Sequence, residues 1–178
     1  MAVVFRCLQC GRSLGWAEAT PVVNCKGHGA APELTVERLD EPSDRVLKLI
    51  SSLLGDDFNL QGNPCVTASE GGFVVGAASY SVAGGEMTVE AAAVDSQYQG
   101  SGAGAKMYVE LDAIAREAGL KAIRASVTND NALALYFHQR QGFLIDSIEP
   151  IEAGSAGPAV GLGGIPIRQR LVLLKPLD

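Results

Sequence analysis

The chain has 178 residues and a mass of 18.5 kDa, the size of one domain or of one domain with a short extension. Apolar residues make up 47% and charged residues 19%, a composition that excludes a disordered or collagen-like chain despite 21 glycines. A net charge of -6 disfavours nucleic acid as the main partner, because no overall basic field would attract phosphates. No apolar run approaches the ~20 residues of a membrane span and Met1–Arg6 does not resemble a signal peptide, so we expect a cytoplasmic protein without a membrane partner.

The first 32 residues contain three of the four cysteines, spaced in a pattern with a histidine. The pattern is C-x2-C-x14-C-x2-H, made by Cys7, Cys10, Cys25 and His28. Two pairs of soft or borderline ligands at this spacing are compatible with tetrahedral zinc, as in a miniature zinc ribbon. Residues 1–32 are therefore interpreted as an N-terminal extension with a candidate structural zinc site. The alternative is an extension in which the cysteines only pack or the chain is disordered.

Residues 33–178 carry alternating strand and helix patterns and are interpreted as one domain. A short strand is predicted at Leu34–Glu37 and an amphipathic helix at Asp44–Leu54. Two strand-like segments follow, Phe73–Val82 and Met87–Val94. The two glycines in the turn between them predict an antiparallel hairpin.

The second half of this domain contains the remaining predicted elements. They are, in chain order, a glycine loop ending at Gly104, a helix at Ala103–Glu117, a strand at Ala122–Thr128, a helix at Ala132–Gln141, and strands at Phe143–Ile148 and Gln169–Leu174. The connection Ala153–Gly164 ahead of the last strand is rich in glycine and alanine, which predicts a long and flexible segment.

The glycine loop has the sequence Gln99-Gly100-Ser101-Gly102-Ala103-Gly104. Glycines between a strand and a helix let the backbone approach a ligand and leave several N–H groups pointing outward, which is typical of a phosphate site. The spacing G-x-G-x-G differs from the G-x-G-x-x-G of dinucleotide folds, and the residues that follow lack the magnesium-binding hydroxyl of a P-loop. The alternative is a turn that only joins a strand to a helix.

Two motifs give the chain a resemblance to a known family. The glycine loop resembles the pyrophosphate-binding segment of GCN5-related N-acetyltransferases (GNAT), Q/R-x-x-G-x-G/A, which is met by Gln99, Gly102 and Gly104. The residues that begin at Asn131 resemble the same family's downstream motif, N-x-x-A-x-x-x-Y-x-x-x-G-F, and depart from it only at the tyrosine, where His138 stands. The two motifs follow each other in family order, with a helix and a strand between them.

The resemblance implies an α/β (α+β) fold, in which a mixed and mostly antiparallel sheet is splayed around the cofactor with helices on both faces. It implies direct transfer of an acetyl group from acetyl-CoA to an amine acceptor, a small molecule or a peptide, in a ternary complex, and it is compatible with a homodimer. Backbone amides of the strand would hold the pantetheine and the thioester, and those of the loop the pyrophosphate. The residues implied to bind acetyl-CoA are Ala92, Ala93, Val94, Gln99, Gly100, Ser101, Gly102, Ala103, Gly104, Asn131 and His138.

Acetyl transfer also needs a base, donors for the developing oxyanion and an acid for the departing thiolate. The family's tyrosine is usually the acid, so His138 is the candidate here, although only a minority of imidazoles with a pKa near 6.5 is charged at neutral pH. His138 lies seven residues after Asn131, nearly two helical turns, so both should face the same way. Tyr136 is rotated by about 140° from Asn131 and is expected to point into packing.

The candidate base is Glu90. Strand alternation puts Thr88, Glu90, Ala92 and Val94 on one face, from which Glu90 could reach the amine directly or through water. The alternative for Glu90 is a solvated strand carboxylate without a catalytic role. The alternative for the downstream motif is that Asn131 only caps its helix and that His138 is a surface residue. For the whole protein, the alternatives are a non-catalytic acyl-CoA sensor and a zinc-containing adaptor.

Overall fold

The computed structural model describes residues 33–54, 62–152 and 159–177, together with the backbone of Val3–Arg6 and Ser13–Ala17. The strands in this part of the chain are β1 (Val3–Arg6), β2 (Ser13–Ala17), β3 (Leu34–Leu39), β4 (Cys65–Glu70), β5 (Phe73–Ala83), β6 (Glu86–Val94), β7 (Ala122–Thr128), β8 (Leu144–Pro150) and β9 (Gln169–Pro176). The α-helices are α1 (Asp44–Leu54), α2 (Ala103–Glu117) and α3 (Ala132–Arg140).

Seven strands form one mixed sheet in the order β3-β4-β5-β6-β7-β9-β8, and β1 pairs with β2 in a separate antiparallel sheet. The pairs β3–β4, β4–β5, β7–β9 and β8–β9 are antiparallel, whereas β6 and β7 are parallel and are connected through α2. The predicted fold class, a mixed and mostly antiparallel sheet with helices, is confirmed. No helix in the described ranges is long and apolar enough to cross a membrane.

The chain divides into two compact units, of which the first contains residues 1–80 and 90–111. Within it, the apolar stripe of α1 packs Val46 and Ile50 against strand residues that include Ala77. The preceding residue, Gly76, points to the opposite face of its strand, where Met107 Cε of α2 lies 3.1 Å from the position that a Cβ on Gly76 would occupy. Helices therefore cover both faces of these strands, and the glycine leaves room for the close approach of Met107.

The second unit contains residues 81–89 and 112–178. Within it, the start of β6 forms a three-residue parallel ladder with β7, Glu86–Thr88 against Ala122–Arg124. Arg124 donates to Glu86 on β6 and to Asp146 on β8, so one guanidinium joins side chains from three strands. β8 is an edge strand, and all of its residues are exposed.

The predicted bounds agree with the structure at α1, α2 and β7, and β3 and β9 each end two residues later than predicted. The hairpin turn has φ of 60° at Gly84 and 81° at Gly85, the positive values that a type I′ turn requires. The sequence patterns did not predict β4. Almost all of β4 is buried, polar Thr67 and Ser69 included, so it shows no alternation of apolar and polar residues.

The predicted long connection at Ala153–Gly164 is described only in its second part, and its flexibility stays a prediction. Residues 153–158 lie outside the described residues. Residues 159–167 form a narrow turn, in which Gly161 N donates to Ile165 O at 2.8 Å and Ile167 N donates to Ala159 O at 2.7 Å. The glycines of this segment therefore serve a defined backbone path, and Gly163 and Gly164 take positive φ at its tip.

Candidate functional site

The face of β6 that carries the predicted base is opposite to the core. Met87, Val89, Ala91 and Ala93 are buried, and the intervening residues are exposed or half-buried. The predicted grouping of Thr88, Glu90, Ala92 and Val94 on one face is therefore confirmed. Glu90 is exposed, and Ala92, Ala93 and Val94 lie beyond the three-residue ladder that joins β6 to β7.

The glycine loop has a fixed backbone. A 3₁₀ helix at Ser96–Tyr98 follows β6, and the Asp95 side chain caps it by accepting from Gln97 N at 2.8 Å. Ser101 N donates to Tyr98 O at 3.1 Å. The glycines on either side of Ser101 have positive φ, 85° at Gly100 and 92° at Gly102. These left-handed conformations favour glycine, so the loop needs glycines for its path as well as for the approach of a ligand.

The loop delivers the chain into the N-terminus of α2. The first amides of a helix, here from Gly102 to Ala105, have no intrahelical acceptor, and the N-terminal end of the helix dipole attracts anions. The first turn carries no acidic residue, and a Cβ added at Gly102 would meet nothing within 4 Å. Lys106 Nζ donates to the Leu34 carbonyl at 3.1 Å, so the candidate anion site consists of the helix N-terminus without this lysine. These features fit a pyrophosphate.

A hydrogen bond that sequence reasoning missed ties this loop to β4. The Tyr98 hydroxyl donates to Glu70 Oε2, and this bond raises the pKa of Tyr98. Glu70 ends β4, the strand that the sequence patterns did not reveal, so the contact could not be anticipated from spacing. It anchors the 3₁₀ helix from which the glycines depart.

The start of α3 is organised around the backbone of Ala134. Asn131 is the N-cap, and its Oδ1 accepts from Ala134 N at 3.0 Å. His138 Nδ1 lies 2.8 Å from Ala134 O, and because a carbonyl only accepts, Nδ1 carries the proton of this bond. The two side chains therefore bond to opposite ends of one residue's backbone. The cap uses the oxygen of Asn131, which makes Nδ2 the group that can donate to a ligand.

His138 is buried at 7% exposure, so the alternative of a surface histidine is wrong. Its ring makes edge contacts with Phe137 and Phe143, at centroid distances of 5.6 Å and 5.3 Å. Burial lowers the pKa of His138 from its ordinary value of 6.5, against the smaller opposing effect of the bond to Ala134. With Nδ1–H engaged, Nε2 is the nitrogen through which this ring would exchange a proton.

The sequence predicted that Tyr136 points into packing, and this prediction is wrong. It is 60% exposed, its hydroxyl accepts from Arg140 Nη1 at 3.3 Å, and the guanidinium lies 6.0 Å from the ring centroid. The buried face of α3 is the one that carries His138, so a residue rotated well away from it faces water. The rotation was predicted correctly, but the burial of the two faces was not.

The residues just before Asn131 also have a structural task that the motifs do not indicate. Asn129 Oδ1 accepts from Arg168 N at 2.8 Å and from Gln169 N at 3.0 Å, and its Nδ2 donates to Pro166 O at 3.0 Å. Asn129 thereby holds the segment that enters β9. A polar residue directly after a predicted strand is the only sequence signal for such a role.

Comparison with known proteins identifies the family. The model of the acetyltransferase (GNAT) family matches residues 28–143, more than half of the chain. The chain belongs to the GNAT family. A curated relative, the uncharacterized protein YdhI of Bacillus subtilis (strain 168), is 27% identical over 116 residues, which cover 62% of this chain and 71% of that protein.

Two solved structures share the GNAT fold with this chain. The ribosomal-protein-S18-alanine N-acetyltransferase from Escherichia coli has a TM-score of 0.67 and 18% identity, over 82% of this chain and 94% of that chain. A GNAT family acetyltransferase from Elizabethkingia anophelis, solved with acetyl-CoA bound, has a TM-score of 0.64 and 18% identity, over 81% and 98%. At these identities the likeness shows the fold. As a member of the family, the chain is an acetyl-CoA-dependent acetyltransferase, and the non-catalytic alternatives are not favoured.

The two GNAT motifs lie in different units of the structure. Ala92–Val94 and the loop Gln99–Gly104 belong to the first unit, together with Glu90. Asn131 and His138 belong to the second, where both bond to Ala134.

The candidate zinc ligands Cys7, Cys10, Cys25 and His28 lie outside the described residues. In the part of the chain that is described, no group of three or more potential metal-ligating side chains occurs. The acetyltransferase motifs themselves require no metal.

Proposed function

We propose that this GNAT enzyme is an N-acetyltransferase, which moves the acetyl group of acetyl-CoA directly to an amine in a ternary complex. The observation that carries the proposal is the loop of left-handed glycines at the N-terminus of α2, with open space over Gly102 and no acidic residue in the first turn. The S18-alanine N-acetyltransferase with the same fold is named for transfer to an amine, which supports this reaction class. The acceptor is a small molecule or a peptide.

In this proposal the cofactor is held mainly by backbone. Amides of Ala92, Ala93 and Val94 bind the pantetheine and thioester, and the loop Gln99–Gly104 binds the pyrophosphate. Within the loop, Ser101 N already donates to Tyr98 O and Ala103 N to the Ser101 hydroxyl, so the donors to the pyrophosphate are the other amides, among them those of Gly102 and Gly104. The Nδ2 group of Asn131 donates to the ligand. Glycine and alanine are suited to this task, since small side chains let a ligand reach the backbone.

The transfer needs two proton movements. The amine nitrogen attacks the thioester carbonyl carbon, the C–S bond breaks, and the sulfur leaves as a thiolate that takes up a proton. We propose that Glu90, directly or through water, takes the proton of the amine, and that His138 gives its Nε2 proton to the thiolate. Since burial lowers the pKa of His138, the acid form is a minority at neutral pH, and its contribution should fall as the pH rises through a value below 6.5.

Thermal unfolding with ligands tests the function first. Acetyl-CoA at 100 times its Kd should add about 2.7 kcal/mol of stability, or roughly 2–4 °C in Tm per kcal/mol, whereas ATP and NAD should have no comparable effect. Release of CoA thiol should then depend on an added primary amine. A Tm that does not respond to acetyl-CoA, or a CoA release that no amine accelerates, would contradict the proposal.

We also propose a small zinc module in residues 1–32, separate from the acetyltransferase domain at 33–178. Arg6 of β1 pairs with Ser13 of β2, so the connection that contains Cys7 and Cys10 starts and ends at paired residues. Two cysteines with this spacing between paired strands suit a zinc ribbon, in which Cys25 and His28 would complete the tetrahedron. The zinc would be structural.

Metal analysis of the purified full-length chain tests this module. One zinc per chain is expected, lost on Cys10→Ser or Cys25→Ser and kept on Cys65→Ala, which removes the buried thiol of β4. A chain without zinc when prepared in its presence would contradict the proposal. Zinc thiolates and a buried reduced cysteine suit a reducing compartment, so we propose a cytoplasmic location. Light scattering of the same samples would test for the homodimer with which the family resemblance is compatible.

A further inference from the structure

The two ends of the glycine loop are held in place by different means. Downstream, the chain enters α2, in which Ala103, Met107 and Leu111 are each at most 1% exposed, so packing fixes this end. Upstream, the 3₁₀ helix Ser96–Tyr98 contains no buried residue. Since burial does not fix the upstream end, its position depends on hydrogen bonds.

Tyr98 is the residue through which these bonds reach the loop. Its N donates to Asp95 O at 2.8 Å, its carbonyl accepts from Ser101 N at 3.1 Å, and its hydroxyl donates to Glu70 Oε2. Ser101 lies between the two loop glycines that have positive φ. One residue therefore joins the backbone of the loop to a side chain of the sheet.

The carboxylate that accepts from Tyr98 belongs to a well-held part of the sheet. Glu70 is the last residue of β4, an interior strand, and is paired with Leu34 of β3 on one side and with Phe73 of β5 on the other. The bond to Glu70 raises the pKa of Tyr98, so the phenol keeps its proton and remains the donor at neutral pH. All of these residues belong to the first unit.

Lys106 reaches the same pair of strands from the other side of the loop. Its Nζ donates to Leu34 O at 3.1 Å, and Leu34 is the residue opposite Glu70 in the β3–β4 ladder. Lys106 is itself exposed, however, and the helix that carries it is already fixed by packing. Its bond should therefore add less to the position of the loop than the bond of Tyr98 does.

We propose that Tyr98 is a positioning residue, which through its bond to Glu70 holds the glycine loop in the conformation that receives the pyrophosphate. The inference rests on the proposed binding of acetyl-CoA and deepens it, since it names the side-chain bond that orders the loop before the ligand arrives. Glycine loses more conformational entropy on ordering than any other residue, and a bond that is present in the free protein removes part of that loss from binding. Tyr98 acts on the ligand only through the loop.

Titration of the full-length chain with acetyl-CoA tests this role. Tyr98→Phe keeps the ring and removes the hydroxyl, and it should raise the Kd about tenfold, the effect of one hydrogen bond to a charged group. Glu70→Ala should raise the Kd by a similar factor. Glu70→Gln keeps an oxygen that can accept from the hydroxyl, so its Kd should stay within about twofold of the wild type. Lys106→Met should raise the Kd less than Tyr98→Phe.

The double variant Tyr98→Phe/Glu70→Ala shows whether the two side chains act through one bond. Its Kd should be about tenfold above that of the wild type, as in either single variant, because the bond can be lost only once. Independent effects would multiply to about a hundredfold.

Two control variants separate positioning from general effects of substitution. Tyr136→Phe removes a hydroxyl that accepts from Arg140 on the exposed face of α3, and it should leave the Kd unchanged. Ile50→Val removes one methylene from the core of the first unit, and it should lower Tm without a change in the Kd.

An acetyl donor without the pyrophosphate locates the effect within the ligand. S-acetylpantetheine carries the same thioester but lacks the pyrophosphate and the nucleotide. With one fixed amine, Tyr98→Phe should reduce kcat/KM for acetyl-CoA about tenfold and leave kcat/KM for S-acetylpantetheine at the wild-type value. An equal reduction for both donors would mean that Tyr98 supports the whole site, and it would overturn the inference.

The outcomes distinguish this inference from the function on which it rests. A wild-type Kd in Tyr98→Phe, a hundredfold rise in the double variant, or an equal rise in Ile50→Val would overturn the inference and leave acetyl-CoA binding standing. A wild-type chain that does not bind acetyl-CoA would contradict the proposed function and the inference together.

Discussion

The glycine loop and the start of α3 are both proposed to hold acetyl-CoA, but they are constructed in different ways. The loop uses backbone: Gly100 and Gly102 take left-handed conformations, the space over Gly102 is open, and the first turn of α2 carries no acidic residue. The start of α3 uses side chains: Asn131 and His138 both bond to Ala134 before any ligand is considered. The proposed role of the loop depends on the absence of side chains over Gly102, whereas that of the start of α3 depends on side chains that are held by bonds to Ala134.

The two regions should respond differently to substitution. A backbone site fails when any side chain intrudes, and conservative replacement cannot restore it. A side-chain site can be altered in graded steps, because a replacement can keep one of two bonds. We therefore expect the largest effects in the loop and separable effects in α3.

Gly102→Glu should abolish acetyl-CoA binding, with a loss of more than about 100-fold in affinity. The carboxylate would meet the pyrophosphate in the space over Gly102, where like charges repel and the ligand is excluded. Isothermal titration with acetyl-CoA measures the change. Gly72→Glu is the matched control, since Gly72 also has positive φ and open space but lies in the turn between β4 and β5. Equal affinities in the two variants would show that the loop does not bind the cofactor.

His138→Phe should slow turnover most at the acid end of the pH range, by up to about 100-fold, the range of one general acid, and leave the Kd for acetyl-CoA unchanged. His138→Tyr places the family's hydroxyl at this position and should recover most of the rate. Rates are measured with one fixed amine at saturating acetyl-CoA across about pH 6 to pH 9. If His138→Phe matches the wild type throughout, water supplies the proton and the role proposed for His138 is wrong.

Asn131→Ala should lower stability by about 1 kcal/mol, because the Ala134 amide loses its cap, and lower Tm by roughly 2–4 °C. Asn131→Ser keeps a cap but removes the amide donor. It should retain most of the Tm while weakening acetyl-CoA, as measured by unfolding and titration of the same samples. If Asn131→Ser binds acetyl-CoA with wild-type affinity, Asn131 acts only as a helix cap and does not donate to the ligand.

The smallest effect concerns pH and stability. Burial lowers the pKa of His138 in the folded state, so below its ordinary value of 6.5 the unfolded chain binds more protons than the folded one. The stability linked to this group is complete above that value and is lost as the pH falls toward the lowered pKa. Tm should therefore fall less between about pH 7 and pH 5 in His138→Phe than in the wild type or in Tyr136→Phe, which alters the exposed face of α3. Parallel curves for all three would contradict this assignment.

The sequence determined the elements whose signals are local. The apolar stripe of α1, the helix after the glycine loop and the apolar run of β7 each have their predicted bounds, because periodicity along a segment reports the face that will be buried. The glycine spacing and the motif that begins at Asn131 identified the family for a similar reason: a ligand that is held by backbone requires glycine at particular positions.

Tertiary structure alone decided features that depend on residues distant in the chain. Almost all of β4 is buried, so it lacks the alternation of apolar and polar residues that would have predicted it. Tyr136 faces water because the buried side of α3 is the one that carries His138. Glu70 at the end of β4 accepts a hydrogen bond from Tyr98, which lies 28 residues later in the chain. Gly161 is the clearest case. Its backbone would accept any residue, and it must be glycine because a carboxylate from Asp130 fills the position of its side chain. Periodicity encodes which way a side chain points, but what it meets there is set only when the segments pack.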